Sequence, residues 1–302
     1  MSVRFAVSPI GWINDDLPEV GAGTRLESIL DDAAQIGYSG IELGGVFPRR
    51  PEDLSPLLAA RGLDLAGGWW GARLLSSTPA EEFARARNHV ELLRALGSAV
   101  FICAETSNTI HMDRGAPLSS RPRLEAAEMK AFAGGIDEFA RRVAGEGLGF
   151  AWHQHLGTVV EGPKSLEILV AETGPDVGLT VDTAHLALAG IDPARLVRAH
   201  PDRVRHVHCK DVRRSVARSC FEGGGSFLDG VLAGAFTAPG DGDLDIAGLV
   251  SALAEIGYAG WIVAEAEQDP RKADPRIYAA IGLSNLRRWA GEAGLEVAER
   301  PA

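Results

Sequence analysis

The feature that most constrains this chain is a unit that recurs from end to end: an amphipathic helix closes on a glycine, a short turn follows, and an apolar run begins. It is found in "LDDAAQIGYSGIELG", "LLAARGLDLAGGWW", "LLRALGSAVFICAE", "RRVAGEGLGFAWHQH" and "LVSALAEIGYAGWIVAE". Glycine just past a helix end takes the left-handed conformation without a Cβ clash, so each unit reads as a helix stop feeding a strand. The near-copies "IGYSGIEL" and "IGYAGWIV" show the repeat most clearly. Met129, Phe132, Ile136, Phe139 and Val143 fall three or four apart, as do Leu26, Ile29, Ala33 and Ile36, giving one apolar stripe on each helix. Thr78, Pro79 and Glu81 together mark a helix start.

The reading places strands near 4–8, 40–44, 64–69, 99–105, 148–155, 178–183, 204–209 and 261–265. Strands alternating with helices in this way fit a closed (β/α)8 barrel better than an open sheet. A doubly wound dinucleotide fold is the competitor, but no G-x-G-x-x-G turn follows any of these strands. No linker or low-complexity segment divides the chain. The expectation is therefore α/β, one TIM-barrel domain over residues 1–302.

The formal charge of -11, from 41 acidic and 30 basic residues, repels polyanions, which argues against a nucleic-acid partner. The N-terminus "MSVRFAVSPIGW" lacks the charged and apolar regions of a signal peptide, and no apolar run approaches membrane-spanning length. A cytoplasmic enzyme with no membrane partner is expected. Cys103, Cys209 and Cys220 are odd in number and scattered, so neither a disulfide framework nor a thiolate zinc site is indicated.

In such barrels chemistry sits at the C-terminal ends of the strands. From the fifth strand onward those ends carry His153 and His155, then Asp182 in "LTVDTAHLALAG", His208 in "VRHVHCKD" and Glu265 in "WIVAEAEQ". His153 and His155 share a face by strand alternation, and either can be the ligand from that strand. Imidazoles and carboxylates without thiolates suit a divalent ion such as Mn²⁺, Co²⁺, Fe²⁺ or Zn²⁺. Each residue also has a plainer reading: a lone His as a hydrogen-bonded core group, or Asp182 as a helix cap. Their recurrence on consecutive strands favours the metal site.

Other polar groups gather at the same rim. His185 lies three positions after Asp182, and Lys210 follows His208. Glu42 and Glu105 end the second and fourth strands; Glu42 is a candidate substrate contact, and loop solvation or ion pairing explains either carboxylate as readily. Trp12, Asn14, Trp69, Trp70 and Arg73 are candidates to line a polyol site by stacking and hydrogen bonding. His206 is expected lower in the barrel, and Asp245 reads as the cap of the helix that starts at Ile246, not as part of a calcium loop.

The segments "PIGWINDDLPE", "GIELGG", "GGWWGARLL", "HQHLGTVVEG", "VDTAHLALAGIDP", "HVHCKDVR", "FLDGVLAGAFTAPGDGDLD" and "GWIVAEAEQDP" resemble the inosose dehydratase family, within the xylose isomerase-like barrel superfamily. The likeness runs over nearly the whole chain. It implies a hydro-lyase of inositol catabolism that takes a small polyol ketone, 2-keto-myo-inositol, and gives a dione. It also implies a divalent metal, Mn²⁺ or Co²⁺ first, with Mg²⁺, Fe²⁺ and Zn²⁺ as alternatives.

Carried over by position, Asp182, His208 and Glu265 match metal ligands of the superfamily, and His185 and Arg214 match substrate contacts of its epimerases. His153 stands where those epimerases place a Glu that also serves as a base. That departure weakens a two-base isomerase or epimerase reading, which remains the alternative. In the dehydratase reading Glu265 or His155 takes the α-proton, and His155, His185 or Lys210 protonates the departing hydroxyl. A DNA-repair endonuclease of the same superfamily and a non-catalytic sugar-binding barrel are the competing classes. Homo-oligomers are common among such barrels, but one chain shows no interface.

Overall fold

The computed structural model describes residues 2–298. Strands β1 (Val3–Val7), β2 (Gly40–Leu43), β3 (Asp64–Ala72), β4 (Val100–Glu105), β5 (Gly149–His153), β6 (Val177–Asp182) and β7 (Val204–Val212) are followed by a two-residue β8 (Phe236–Thr237) and by β9 (Gly260–Glu265). The hydrogen-bonded order β6-β5-β4-β3-β2-β1-β9-β7, with β6 pairing back onto β7, closes an eight-stranded parallel barrel. The short β8 is an antiparallel spur on the end of β7. The expected (β/α)8 architecture is therefore what the chain adopts.

The helices that return the chain are α1 (Leu26–Ile36), α2 (Pro51–Ala59), α3 (Pro79–Ala95), α4 (Ala126–Ala144), α5 (Pro163–Glu172), α6 (Thr183–Leu188), α7 (Pro193–Ala199), α8 (Arg214–Glu222), α9 (Phe227–Ala233), α10 (Ile246–Glu255) and α11 (Pro275–Glu292). Glycines 37, 62, 97, 147 and 257, one in each repeat, all have positive φ, as the helix-stop reading requires. In "RRVAGEGLGF" the left-handed residue is Gly147 and not Gly145, which stays right-handed. Thr78 and Glu81 form a reciprocal capping box at α3, and Asp245 caps α10 by accepting from Gly248 N.

The core lies between barrel and helices. The predicted α4 stripe of Met129, Phe132, Ile136, Phe139 and Val143 is wholly buried, and Phe139 meets Phe101 and Phe150 edge-on with centroids 5.8 and 5.7 Å away. Alternation sends the next residues inward, so Val100, Ile102 and Ala151 fill the barrel itself. Small and aliphatic side chains plug the lower barrel, and the polar residues stack above them.

β5 stops at His153, two residues short of the expected end, so His155 stands in the loop beyond it. Gly157 turns the chain at φ 80°, and Glu161 accepts its amide at 2.7 Å. The remaining strands match expectation, with β3 and β7 running three residues longer.

Candidate metal and catalytic centre

Register decides which side chains meet. Asp182 pairs with His208 across β6 and β7, and Lys210 pairs with Glu265 across β7 and β9. His206, His208 and Lys210 alternate on β7 and rise up the barrel interior as successive steps, with Glu265 beside the uppermost.

Asp182 serves two purposes. Its Oδ1 caps α6, accepting from Ala184 N and His185 N at 2.9 Å each, while Oδ2 is buried and faces the barrel axis with no hydrogen bond. His208 Nδ1 lies 3.6 Å from that oxygen and 3.2 Å from Glu265 Oε2. His153 Nε2 is 3.7 Å from Asp182 Oδ2. Asp182 Oδ2, His208 Nδ1 and Glu265 Oε2 are all buried without a hydrogen bond of acceptable geometry. Buried polar atoms are normally satisfied, so these three orphans need an explanation, and His153, Asp182 and His208 offer ligand atoms that all lie within 4.8 Å of one another. Ligand atoms about 2.0–2.2 Å from a shared ion stand roughly 3–3.5 Å apart. The observed separations fit a divalent cation, and the mixed imidazole and carboxylate donors suit one.

The electrostatics favour the same arrangement. Burial alone would raise the Asp182 carboxyl, but the Lys210 ammonium helps hold it well below the ordinary carboxylate range. Glu265 is likewise lowered, burial being outweighed by Lys210 and His208. Both stay anionic. Burial would lower His208, yet Glu42 and Glu265 raise it well above an ordinary imidazole, so a cation bound at Nδ1 would take the place of a proton there.

His153, His208 and Glu265 form one wall of a cavity of about 110 Å³ that opens at the barrel mouth, with Asp182 fully buried behind them. His155, His185, Lys210 and Glu267 complete the polar wall, and Pro9, Ile10, Ile13, Leu43 and Trp69 make an apolar wall. The rings of His155 and His185 lie 3.9 Å apart. His155 Nδ1 donates to Leu156 O at 2.8 Å, and a carbonyl can only accept, so Nε2 is the basic nitrogen. His185 Nδ1 accepts from Leu156 N at 3.2 Å, which leaves its proton on Nε2. Burial, with each histidine beside the other or beside Lys210, keeps both rings neutral. Lys210 Nζ is held by Glu265 Oε1 at 3.0 Å and Glu267 Oε2 at 2.8 Å, and lies 3.4 Å from His185 Nε2. Burial opposes its charge, but the two carboxylates raise it beyond the ordinary lysine value, so it is an ammonium.

His153, His155, Asp182, His185, His208, Lys210 and Glu265 thus come together as the sequence suggested. Other expected wall residues do not. Trp12 turns outward after the first strand, and its Nε1 donates to Asp32 on α1 at 3.0 Å. Asn14 is buried behind the wall, where Nδ2 donates to Glu267 Oε1 at 3.2 Å and Oδ1 accepts from Asp16 N and Leu17 N. Trp70 faces out of the barrel and donates to Glu82 on α3 at 2.7 Å; the adjacent Trp69 faces the cavity instead. Arg73 is exposed in the loop after β3 and does not line the cavity. Arg214 opens α8 and lines a separate groove with Asp192 and Arg198. Glu42 does reach the cavity, but its Oε1 is engaged by His206 Nε2 and His208 Nε2.

Glu267 was missed by the sequence reading, although the alternating "AEAEQ" places it two residues after Glu265. Asp15 and Asp16 also line the cavity, and His111 is buried 3.7 Å from Asp16 Oδ1. Nothing in the surrounding sequence marks that histidine.

The xylose isomerase-like TIM barrel family profile matches residues 30–289. The rhizopine catabolism protein MocC of Rhizobium meliloti is 44% identical over 302 residues, 100% of this chain and 93% of that protein. An inosose dehydratase of Geobacillus thermodenitrificans is 37% identical over 292 residues, 96% of this chain and 98% of that one. The solved structure of a xylose isomerase domain protein from Alicyclobacillus acidocaldarius superposes with a TM-score of 0.69 at 20% identity, covering 97% of this chain and 100% of that one. The chain belongs to the xylose isomerase-like TIM barrel family, in company with MocC and the inosose dehydratases.

Proposed function

We propose that this chain is a divalent-metal-dependent dehydratase that removes water from 2-keto-myo-inositol, giving a trihydroxycyclohexane-dione in inositol catabolism. The grouping of His153, Asp182 and His208, with Glu265 Oε2 3.2 Å from His208 Nδ1 and the close ring pair His155 and His185 beside them, carries the reading. The near full-length identity to inosose dehydratases supports it.

Asp182, His208, Glu265 and His153 would hold the ion, with Mn²⁺ or Co²⁺ suiting the donor set best and Mg²⁺, Fe²⁺ or Zn²⁺ as alternatives. When bound, it supplies Lewis acidity that eases loss of the proton α to the ketone. His155 Nε2 takes that proton, because its other nitrogen is committed to Leu156 O. The Lys210 ammonium, with the His185 Nε2 proton beside it, meets the hydroxyl leaving the neighbouring carbon and protonates it to water. Glu267 holds Lys210 in place, and Trp69 packs on the C–H face of the ring. The resulting enol tautomerises to the dione.

The test is incubation with 2-keto-myo-inositol and Mn²⁺ or Co²⁺, followed by ultraviolet absorption and α-hydrogen exchange. A dione chromophore is expected; exchange without dione would identify a ketose isomerase or epimerase instead. The higher identity to MocC favours a second reading, in which the same elimination serves rhizopine catabolism. Loss of growth on rhizopine but not on myo-inositol after gene deletion would select it.

A further inference from the structure

We propose that Glu42 is a positioning residue for the metal ligand His208: reaching across the barrel from β2, it dictates which nitrogen His208 presents to the ion, and His206 holds Glu42 in place. This rests on the metal-site reading above and assigns Glu42 a task other than substrate contact.

An imidazole can offer either nitrogen to a cation. In His208, Nδ1 faces Asp182 and Glu265, whereas Nε2 lies 2.9 Å from Glu42 Oε1. A carboxylate only accepts, so Nε2 keeps its proton and Nδ1 is left for the ion. The same Glu42 oxygen lies 2.7 Å from His206 Nε2, on a residue with no solvent exposure.

Glu42, His206 and His208 could instead be read as a cation site of their own, since their ligand atoms also cluster. The distances decide against it. Separations of 2.7 and 2.9 Å are hydrogen-bond lengths, below the roughly 3–3.5 Å between atoms sharing an ion. The 3.2–3.7 Å separations on the other side of His208 have the opposite character.

β2 is not a neighbour of β7 in the sheet, so this contact spans the barrel interior. The lower polar layer therefore ties the β2 side of the barrel to the ligand strand. A carboxylate behind a metal-bound histidine fixes the ring and raises its basicity, and losing such a partner typically weakens metal binding about 10–100-fold.

The experiment is a Co²⁺ titration of chelator-stripped protein, read by visible absorption, for wild type, Glu42→Gln and Glu42→Asp. It is paired with long-range ¹⁵N–¹H spectra of Zn²⁺-loaded wild type. Expected are a loss of Co²⁺ affinity of about 10–100-fold in Glu42→Gln, partial recovery in Glu42→Asp, and a His208 proton on Nε2. Unchanged affinity in Glu42→Gln, or a proton on Nδ1, overturns the assignment. The spectra decide the matter even if Glu42→Gln does not fold. Wild type that binds no Co²⁺ would instead overturn the metal reading, and this inference with it.

Discussion

His155 and His185, tilted against each other with centroids 3.9 Å apart, are tied with opposite polarity to a single residue: Leu156 accepts from His155 Nδ1 and donates to His185 Nδ1. One backbone position thereby makes one ring a base and its neighbour a donor. Two chemically identical side chains become distinguishable.

Replacing them should separate the two halves of the elimination. His155→Gln is expected to abolish α-hydrogen exchange and dione formation together, with kcat reduced about 10²–10⁴-fold. His185→Gln should retain exchange while dione formation falls. Metal content should be unchanged in both. Exchange persisting at the wild-type rate in His155→Gln would move the base elsewhere, with Glu265 the next candidate.

Trp69 and Trp70 show where strand alternation assigns a role. In the β3–β4 register Trp69 stands beside inward-facing Ile102, and Trp70 beside Cys103 on the outer face. Trp69→Ala should raise KM roughly tenfold by removing the stacking wall, with little change in kcat. Trp70→Phe should leave KM alone and lower stability by about 1 kcal/mol through loss of its bond to Glu82. Steady-state kinetics and urea unfolding on both variants check the pair.

His89 makes stability depend on pH. It packs between Trp70 and Phe101, and burial, only partly offset by the Gly68 carbonyl, pulls its pKa down from 6.5 to about 4. The unfolded chain binds the proton more readily, so this contribution is complete above about pH 6.5 and is lost as pH falls toward 4. The difference amounts to about 3 kcal/mol. Urea unfolding of His89→Gln against wild type at pH 7 and pH 4.5 should show the variant losing less stability on acidification.

Asp211 is a buried anchor for the loop after β8. Its two oxygens accept from Val212 N, Gly240 N, Gly242 N and Leu244 N at 2.8–3.0 Å. Asp211→Ala orphans these amides and should destabilise the protein by about 3 kcal/mol or more, with Asp211→Asn intermediate. Chemical denaturation at pH 7 measures both.

Much of this was legible in the chain because local rules and the global fold agree. Glycine helix stops, helical stripes and the polar strand ends each report a constraint that acts within a few residues. What was not legible depends on long-range register. Nothing near Glu42 announces a partner 166 residues away, and nothing in "GGWWGARLL" states which tryptophan faces inward. Arg73 and Arg214 follow strand ends, as site residues do, but their loops carry them outward. In the sequence Asp182 fits both a cap and a ligand. The structure accommodates both because a carboxylate has two oxygens.

The central claim is tested most directly by elemental analysis of purified wild type, His208→Ala and Glu265→Ala, with dehydration of 2-keto-myo-inositol measured on the same samples. The account predicts a stoichiometric divalent ion in wild type and loss of both metal and dehydration in each variant. Retention of metal and full activity in both variants would contradict it.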